Sequence, residues 1–309
     1  MKLFDKKVSL VKAIAVMFVI SSGVYSLGYK IAMDKFNSLV SFSQEKQKMY
    51  GDLSEIDYNI RNEYIGQVDE MKILDSLYRG YISGVDDCKF LDKNQYDEYK
   101  KENENIPAEV SWDKIEGVGY LRCKSLGKGS ADMLIDKLED FLLNGTHNIV
   151  LDLRISENGN IDEVFKILQY IAPSGDIIYT VDKNGKTEVA CKSNGEGINC
   201  KISVLTSKDC SKYAEILALG LKHSLNVKIV GENTKGNFER EKVTLISENS
   251  VIIFPDAKYI TSTEDLDKKG ISPDKFVELS EENALLLKEE KLPYTEDNQL
   301  QSAIDSLKE

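Results

Sequence analysis

The stretch NIVLDLR, residues 148–154, sets the terms for the rest of the chain. Its apolar run is short and stands between two amphipathic helical patterns, so it reads as a strand covered on both faces. Those patterns are ADMLIDKLEDFLLNG, which Gly145 ends, and IDEVFKILQYIA. GVGYLRC reads as a strand before them, and DIIYTVD, KTEVACK and CKISVLTS as strands after them. A helix from about Ser211 to His223 and the strand VKIVGE come next, then EKVTLIS and SVIIFPD as a hairpin. This alternation predicts a layered α/β fold, with helices covering a sheet. The tail reads as two helices, SEENALLLKEE and DNQLQSAIDSLKE, with Ser280 and Asp297 as N-caps.

Ahead of this core, the pattern from Met33 to Lys101 predicts short helices packed as a small bundle. DEYKKENENIPAEVSWD lacks apolar periodicity and contains Pro107, so it reads as a linker. The N-terminus carries VSLVKAIAVMFVISSGVYSLGY, 22 residues interrupted only by Lys12, long enough to cross a bilayer. With no small-residue cleavage site, it is expected to be an uncleaved signal anchor. Lys2, Lys6, Lys7 and Lys12 keep the N-terminus cytoplasmic, so the bulk of the chain is expected outside the cell membrane as a single-pass protein.

Charge and cysteine usage exclude several functions. A net charge of −12 argues against nucleic acid, whose phosphates need a basic surface. Five cysteines without a CxxC pair, and only two histidines, His147 and His223, give no zinc pattern; neither a metal nor a cofactor is expected. Cys191 and Cys200 flank KSNGEGIN and are either the disulfide of a hairpin or two free thiols. GENTKGN lacks the Gly-Lys-Ser/Thr ending of a phosphate loop, and STEDLDKK lacks the carboxylate spacing of a calcium loop. Asn144-Gly145-Thr146 has the form of a glycosylation acceptor.

Five segments in order resemble the carboxyl-terminal processing, or tail-specific, serine peptidases, a family that uses a Ser/Lys dyad. They are EYIGQVDEMKILDSLYRGYISGVDD, then GVGYLRC with its helix and NIVLDLR, AEILALGLKHSLNVKIVGENTKGN, AKYITSTEDLDKKGISPDKFVEL and DNQLQSAIDSL. The resemblance implies a sheet-and-helix core of the crotonase and caseinolytic-protease type at 117–279. With the cytoplasmic tail and anchor occupying 1–32, a helical subdomain is expected at 33–104 and C-terminal helices at 280–309 packed on that subdomain. The PDZ domain that family members usually carry is replaced by the segment 105–116, too short for a module of about 80 residues.

The chemistry departs from the family as well. A Ser/Lys peptidase needs a hydroxyl at a helix start, a buried amine to take its proton, and N–H groups for the oxyanion. Aligning Glu215-Ile216 and Gly231-Glu232 on the family pattern puts Lys212 at the nucleophile position, Asn237 at the general-base lysine and His223 at a helix-end Asp. Lys212 has no hydroxyl and Asn237 accepts no proton at neutral pH. The oxyanion segment after Asp152-Leu153-Arg154 reads ISENGN and keeps only Gly159. The expectation is a degenerate peptidase acting as a protein-binding or regulatory module on protein or peptide partners. The rival is an active endopeptidase that uses Ser211 with Lys235 to trim exported proteins near their C-termini. Bland roles stand beside these: a solvated helix start for Lys212, a helix-end cation for His223, turns for Gly231 and Gly236, and core filling for Cys210.

Overall fold

The computed structural model describes residues 10–248, 250–266 and 268–308. Two compact units divide between Asp75 and Ser76. The first is dominated by α1 (Leu10–Glu63), followed by the start of α2 (Glu70–Ile82). Arg61 ties the two helices together, paired with both Asp57 and Glu70. The expected anchor begins at Val8, outside the described residues, and from Leu10 its sequence belongs to α1. Among the described residues no helix is long and apolar enough to cross a membrane.

The segment 33–104 is therefore not one bundle of short helices. Its first half belongs to α1, which runs unbroken through Gly51, and its end joins the second unit as β1 (Lys89–Asp92) and α3 (Lys93–Glu104). Asp92 and Gln95 form a capping box at the start of α3. The expected linker is likewise a strand, β2 (Ala108–Ile115), which becomes regular by pairing antiparallel with β3 (Val118–Leu126).

After β3 come α4 (Ser130–Leu143), β4 (Asn148–Asp152), β5 (Asn158–Gly159) and α5 (Ile161–Ile171). Then follow β6 (Pro173–Asp182), β7 (Thr187–Glu196), β8 (Lys201–Thr206), α6 (Lys212–Leu225) and β9 (Lys228–Gly231). The chain ends with β10 (Glu239–Ser247), β11 (Ser250–Ile260), β12 (Lys275–Phe276), α7 (Glu281–Lys288) and α8 (Asn298–Ser306). Among the described residues, seven strands form one sheet in the order β12-β9-β8-β4-β3-β2, with β5 beside β3. Only β2 runs antiparallel in it. Five strands form the second, antiparallel sheet: β1-β11-β6-β7, with the expected hairpin partner β10 beside β11.

NIVLDLR behaves as its composition demands. Successive side chains of a strand point to opposite faces, and here both faces are dry. Ile149 and Leu151 join the large core with α4, α5 and α6, while Val150 faces a second core with Leu205 and Val230. That second core is closed by Leu300, Ala303, Ile304 and Leu307 of the C-terminal segment. The expectation that the tail helices pack on the helical subdomain gives way here, because the apolar face of α8 is used up by the sheet. All five cysteines are free thiols; Cys191 is buried in β7 and does not bridge to Cys200.

Candidate active site

The site is built where β4 and β8 end side by side. Beyond Asp152 the chain turns through Leu153–Gly159, and beyond Thr206 it turns through Ser207–Ser211 into α6. The two turns are laced together. Ser207 donates from its hydroxyl to the Arg154 carbonyl, the Cys210 thiol donates to the Leu153 carbonyl at 3.1 Å, and Ser211 N–H donates to the Ser156 carbonyl at 2.8 Å. Ser211 is the N-cap of α6: its Oγ accepts from Ala214 N–H at 3.4 Å and lies 3.2 Å from Ser156 Oγ. Ser156 is fully buried. Burial pushes the Cys210 thiol up to about 12, which keeps it protonated and unreactive at neutral pH.

Lys212 opens the helix beside this cap. Its Nζ is 3.3 Å from Glu241 Oε2 of β10 and 5.3 Å from the centre of the Tyr213 ring. Tyr99 of α3 donates to the same Glu241 oxygen at 3.4 Å, so α3, α6 and β10 meet at one carboxylate. One turn into the helix, Glu215 is completely buried. Its carboxylate accepts Gly236 N–H at 2.6 Å and Asn237 N–H at 2.8 Å, fixing the loop after β9 against α6. This places the backbone of Asn237 beside α6 while its side chain is exposed.

Lys235, two residues earlier, is exposed, and no hydrogen bond joins it to Ser211 among the described residues. His223 lies at the far end of α6, half-buried, with Nε2 3.4 Å from Ser262 Oγ. Gly159 sits in β5 against the start of α6. A Cβ there would meet Tyr213 Cβ at 2.8 Å and Leu126 Cβ at 2.9 Å, closer than carbon atoms tolerate. The structure thus gathers Ser211, Lys212, Gly159 and the Asn237 backbone around the start of α6, and among the described residues no hydrogen bond joins His223 or Lys235 to the Ser211 hydroxyl.

Sequence reasoning missed the polar group beneath the site. Arg154 is fully buried and bonds to both carboxylate oxygens of Asp152, both of Asp297, and Gln299 Oε1. Tyr120 donates to Asp152 at 2.6 Å. The signal was present in NIVLDLR: two charges in an otherwise apolar strand must find partners once buried. Burial alone would raise the Asp152 carboxyl, but the charge and hydrogen bonds of Arg154 hold it below its ordinary value. The two carboxylates in turn hold the guanidinium charged against the cost of burial.

Comparison with known proteins places this geometry in a family. The sequence profile of peptidase family S41 matches residues 117–277, more than half of the chain. The chain belongs to peptidase family S41. Its S41 region is 28% identical over 160 residues to carboxyl-terminal-processing peptidase 2, chloroplastic, of Arabidopsis thaliana, covering 51% of this chain and 31% of that protein. It is 27% identical over 180 residues to carboxy-terminal processing protease CtpA of Bacillus subtilis, covering 57% and 39%. The chain therefore spans well under half the length of these relatives. Among solved structures, a lipoprotein from Streptococcus agalactiae shares the fold with TM-score 0.54 at 17% identity, over 85% of this chain and 96% of that one. The photosystem II D1 C-terminal processing protease gives TM-score 0.51 at 21% identity, over 63% and 54%. The α/β sheet-and-helix core is thus that of S41 peptidases, and the turn from β8 into α6 lies within the S41 match.

Proposed function

We propose that this chain is a catalytically degenerate S41 peptidase that keeps the scaffold as a protein-binding or regulatory module. The observation that carries this reading is Lys212, at the position that the resemblance gives to the nucleophile. An ammonium has no hydroxyl with which to attack, and this one is paired with Glu241. Asn237, at the position of the general-base lysine, offers a neutral amide. The neighbouring hydroxyl of Ser211 supports the same reading, since it caps α6 and contacts Ser156 rather than an amine. A lysine that takes a hydroxyl proton works by being buried, whereas Lys235 is exposed.

Incubating the full-length chain with an unfolded protein, beside a Ser211→Ala variant, is expected to give no cleavage in either sample. Cleavage that the variant loses would overturn the reading in favour of an endopeptidase acting through Ser211 on exported proteins. The proposal also holds the bulk of the chain outside the cell membrane by its N-terminus, supported by the apolar run from Val8 to Tyr29 and the lysines before it. Alkaline extraction of membranes from expressing cells is then expected to leave the chain in the pellet, and its release would remove the anchor.

A further inference from the structure

The outer edge of the antiparallel sheet is unlike the rest of the surface. β10 pairs with β11 on one side, and among the described residues no strand pairs with its other side. An edge strand presents unpaired N–H and C=O groups, and natural edges are blunted by charge, proline, bulges or cover; the bulge of β10 comes at its end, between Leu245 and Ser247, and leaves Val243–Leu245 regular. β10 carries charge only in its first half, Glu239–Lys242. Its second half exposes Val243 at 43%, Leu245 at 73% and Ile246 at 42%. Val243 and Leu245 lie on one face, opposite Ile253 and Val251 of β11, which are buried. The apolar layer of that face therefore runs out to the edge and stops uncovered.

We propose that this edge is a homodimer interface, in which two copies of the chain pair their β10 strands antiparallel about a two-fold axis at Thr244. The sequence of the strand selects this register. Centred on Thr244, Val243 stands opposite the partner's Leu245, and the same apolar pair recurs by symmetry, while the bulge between Leu245 and Ser247 ends the regular alternation beyond these pairs. A centre on Lys242 or Glu241 would set like charges face to face, which destabilises a pair. A centre on Val243 would leave Leu245 opposite Glu241. A centre on Leu245 keeps a single Leu–Leu pair and sets Val243 against Ser247 beyond the bulge, so the Thr244 register, with two apolar pairs on the regular part of the strand, is the one in which a second copy fits. Pairing would satisfy both edges at once and extend the buried layer across the dyad. The inference does not depend on whether the peptidase site is active.

The register is testable by cross-linking. Residues opposite one another in an antiparallel pair have Cα atoms about 4.5–5.5 Å apart, within the range a disulfide spans. The full-length chain, in mild detergent and with the two partly exposed thiols removed by Cys88→Ser and Cys200→Ser, receives Thr244→Cys and is oxidised. A covalent dimer of twice the 34.8 kDa chain is expected. Lys242→Cys serves as the control, since two copies of that position lie about 14 Å apart along the strand, and it is expected to remain monomeric on a denaturing gel. Adding Leu245→Lys is expected to weaken self-association about tenfold or more in sedimentation, because two apolar pairs are lost together. Absence of the Thr244→Cys cross-link, equal cross-linking in the control, or a dimer indifferent to Leu245→Lys would each overturn the proposal.

Discussion

At the scale of single residues, the buried charges govern the most. Arg154 is held by Asp152, two residues back at the end of β4, and by Asp297 from the far end of the chain. Removing Asp297 leaves the guanidinium with Asp152 but takes away two charge-assisted hydrogen bonds, each worth about 1.5–3 kcal/mol. Asp297→Ala is therefore expected to destabilise by about 3–5 kcal/mol, read as a lower urea midpoint without a change in slope. The group also sets a pH dependence. The carboxyl of Asp152 sits below its ordinary value when folded, so its contribution is complete above the unfolded value near about 4 and is lost as pH falls through the folded value. Thermal midpoints measured from neutral to acid pH are expected to drop below about pH 4 in the wild type. In Asp152→Asn they should start lower and fall less. Gly159→Ala, which would press a methyl against Tyr213, is expected to cost about 1–3 kcal/mol.

At the scale of elements, α6 is the piece on which the site depends. Residues Ala214–Leu221 are all buried, so the helix is held by packing, and its first turn is fixed by two side chains. Ser211→Ala removes the cap and is expected to cost about 1 kcal/mol, while Ser211→Asp, which can also cap, should restore most of it. This rescue separates capping from catalysis, since aspartate supplies no hydroxyl. Glu215→Ala leaves two backbone N–H groups without their acceptor. It is expected to cost about 1–3 kcal/mol and to speed amide exchange at Gly236 and Asn237. These elements were also the most legible ones. β4, β8, β9, α4, α5 and α6 announce themselves by short apolar runs or 3.6-residue periodicity. β1 and β2 do not: Lys89–Asp92 is only four residues long with Phe90 alone buried, Ala108–Ile115 is largely exposed, and they become strands only because β11 and β3 offer them edges.

At the scale of the whole molecule, the second unit is closed by its last residues. Leu300, Ala303, Ile304 and Leu307 cover the face of Val150, Leu205 and Val230, and Asp297 completes the Arg154 group. A chain ending at Glu296 would expose that face and leave Arg154 with Asp152 alone, without Asp297 and Gln299. It is expected to lose cooperative unfolding and to bind a hydrophobic dye at neutral pH, as read by near-ultraviolet circular dichroism and fluorescence. What the sequence determined by itself was the alternation of strands and helices, the strand buried on both faces and the family resemblance. These are local, because periodicity and motif spacing depend on neighbours in the chain. The tertiary structure alone decided that Lys212 and Tyr99 meet at Glu241, that Ser211 turns to Ser156, and that the tail closes the sheet. Each of these joins residues tens to more than a hundred positions apart, and their meeting depends on how the sheets and helices pack rather than on any pattern within one segment.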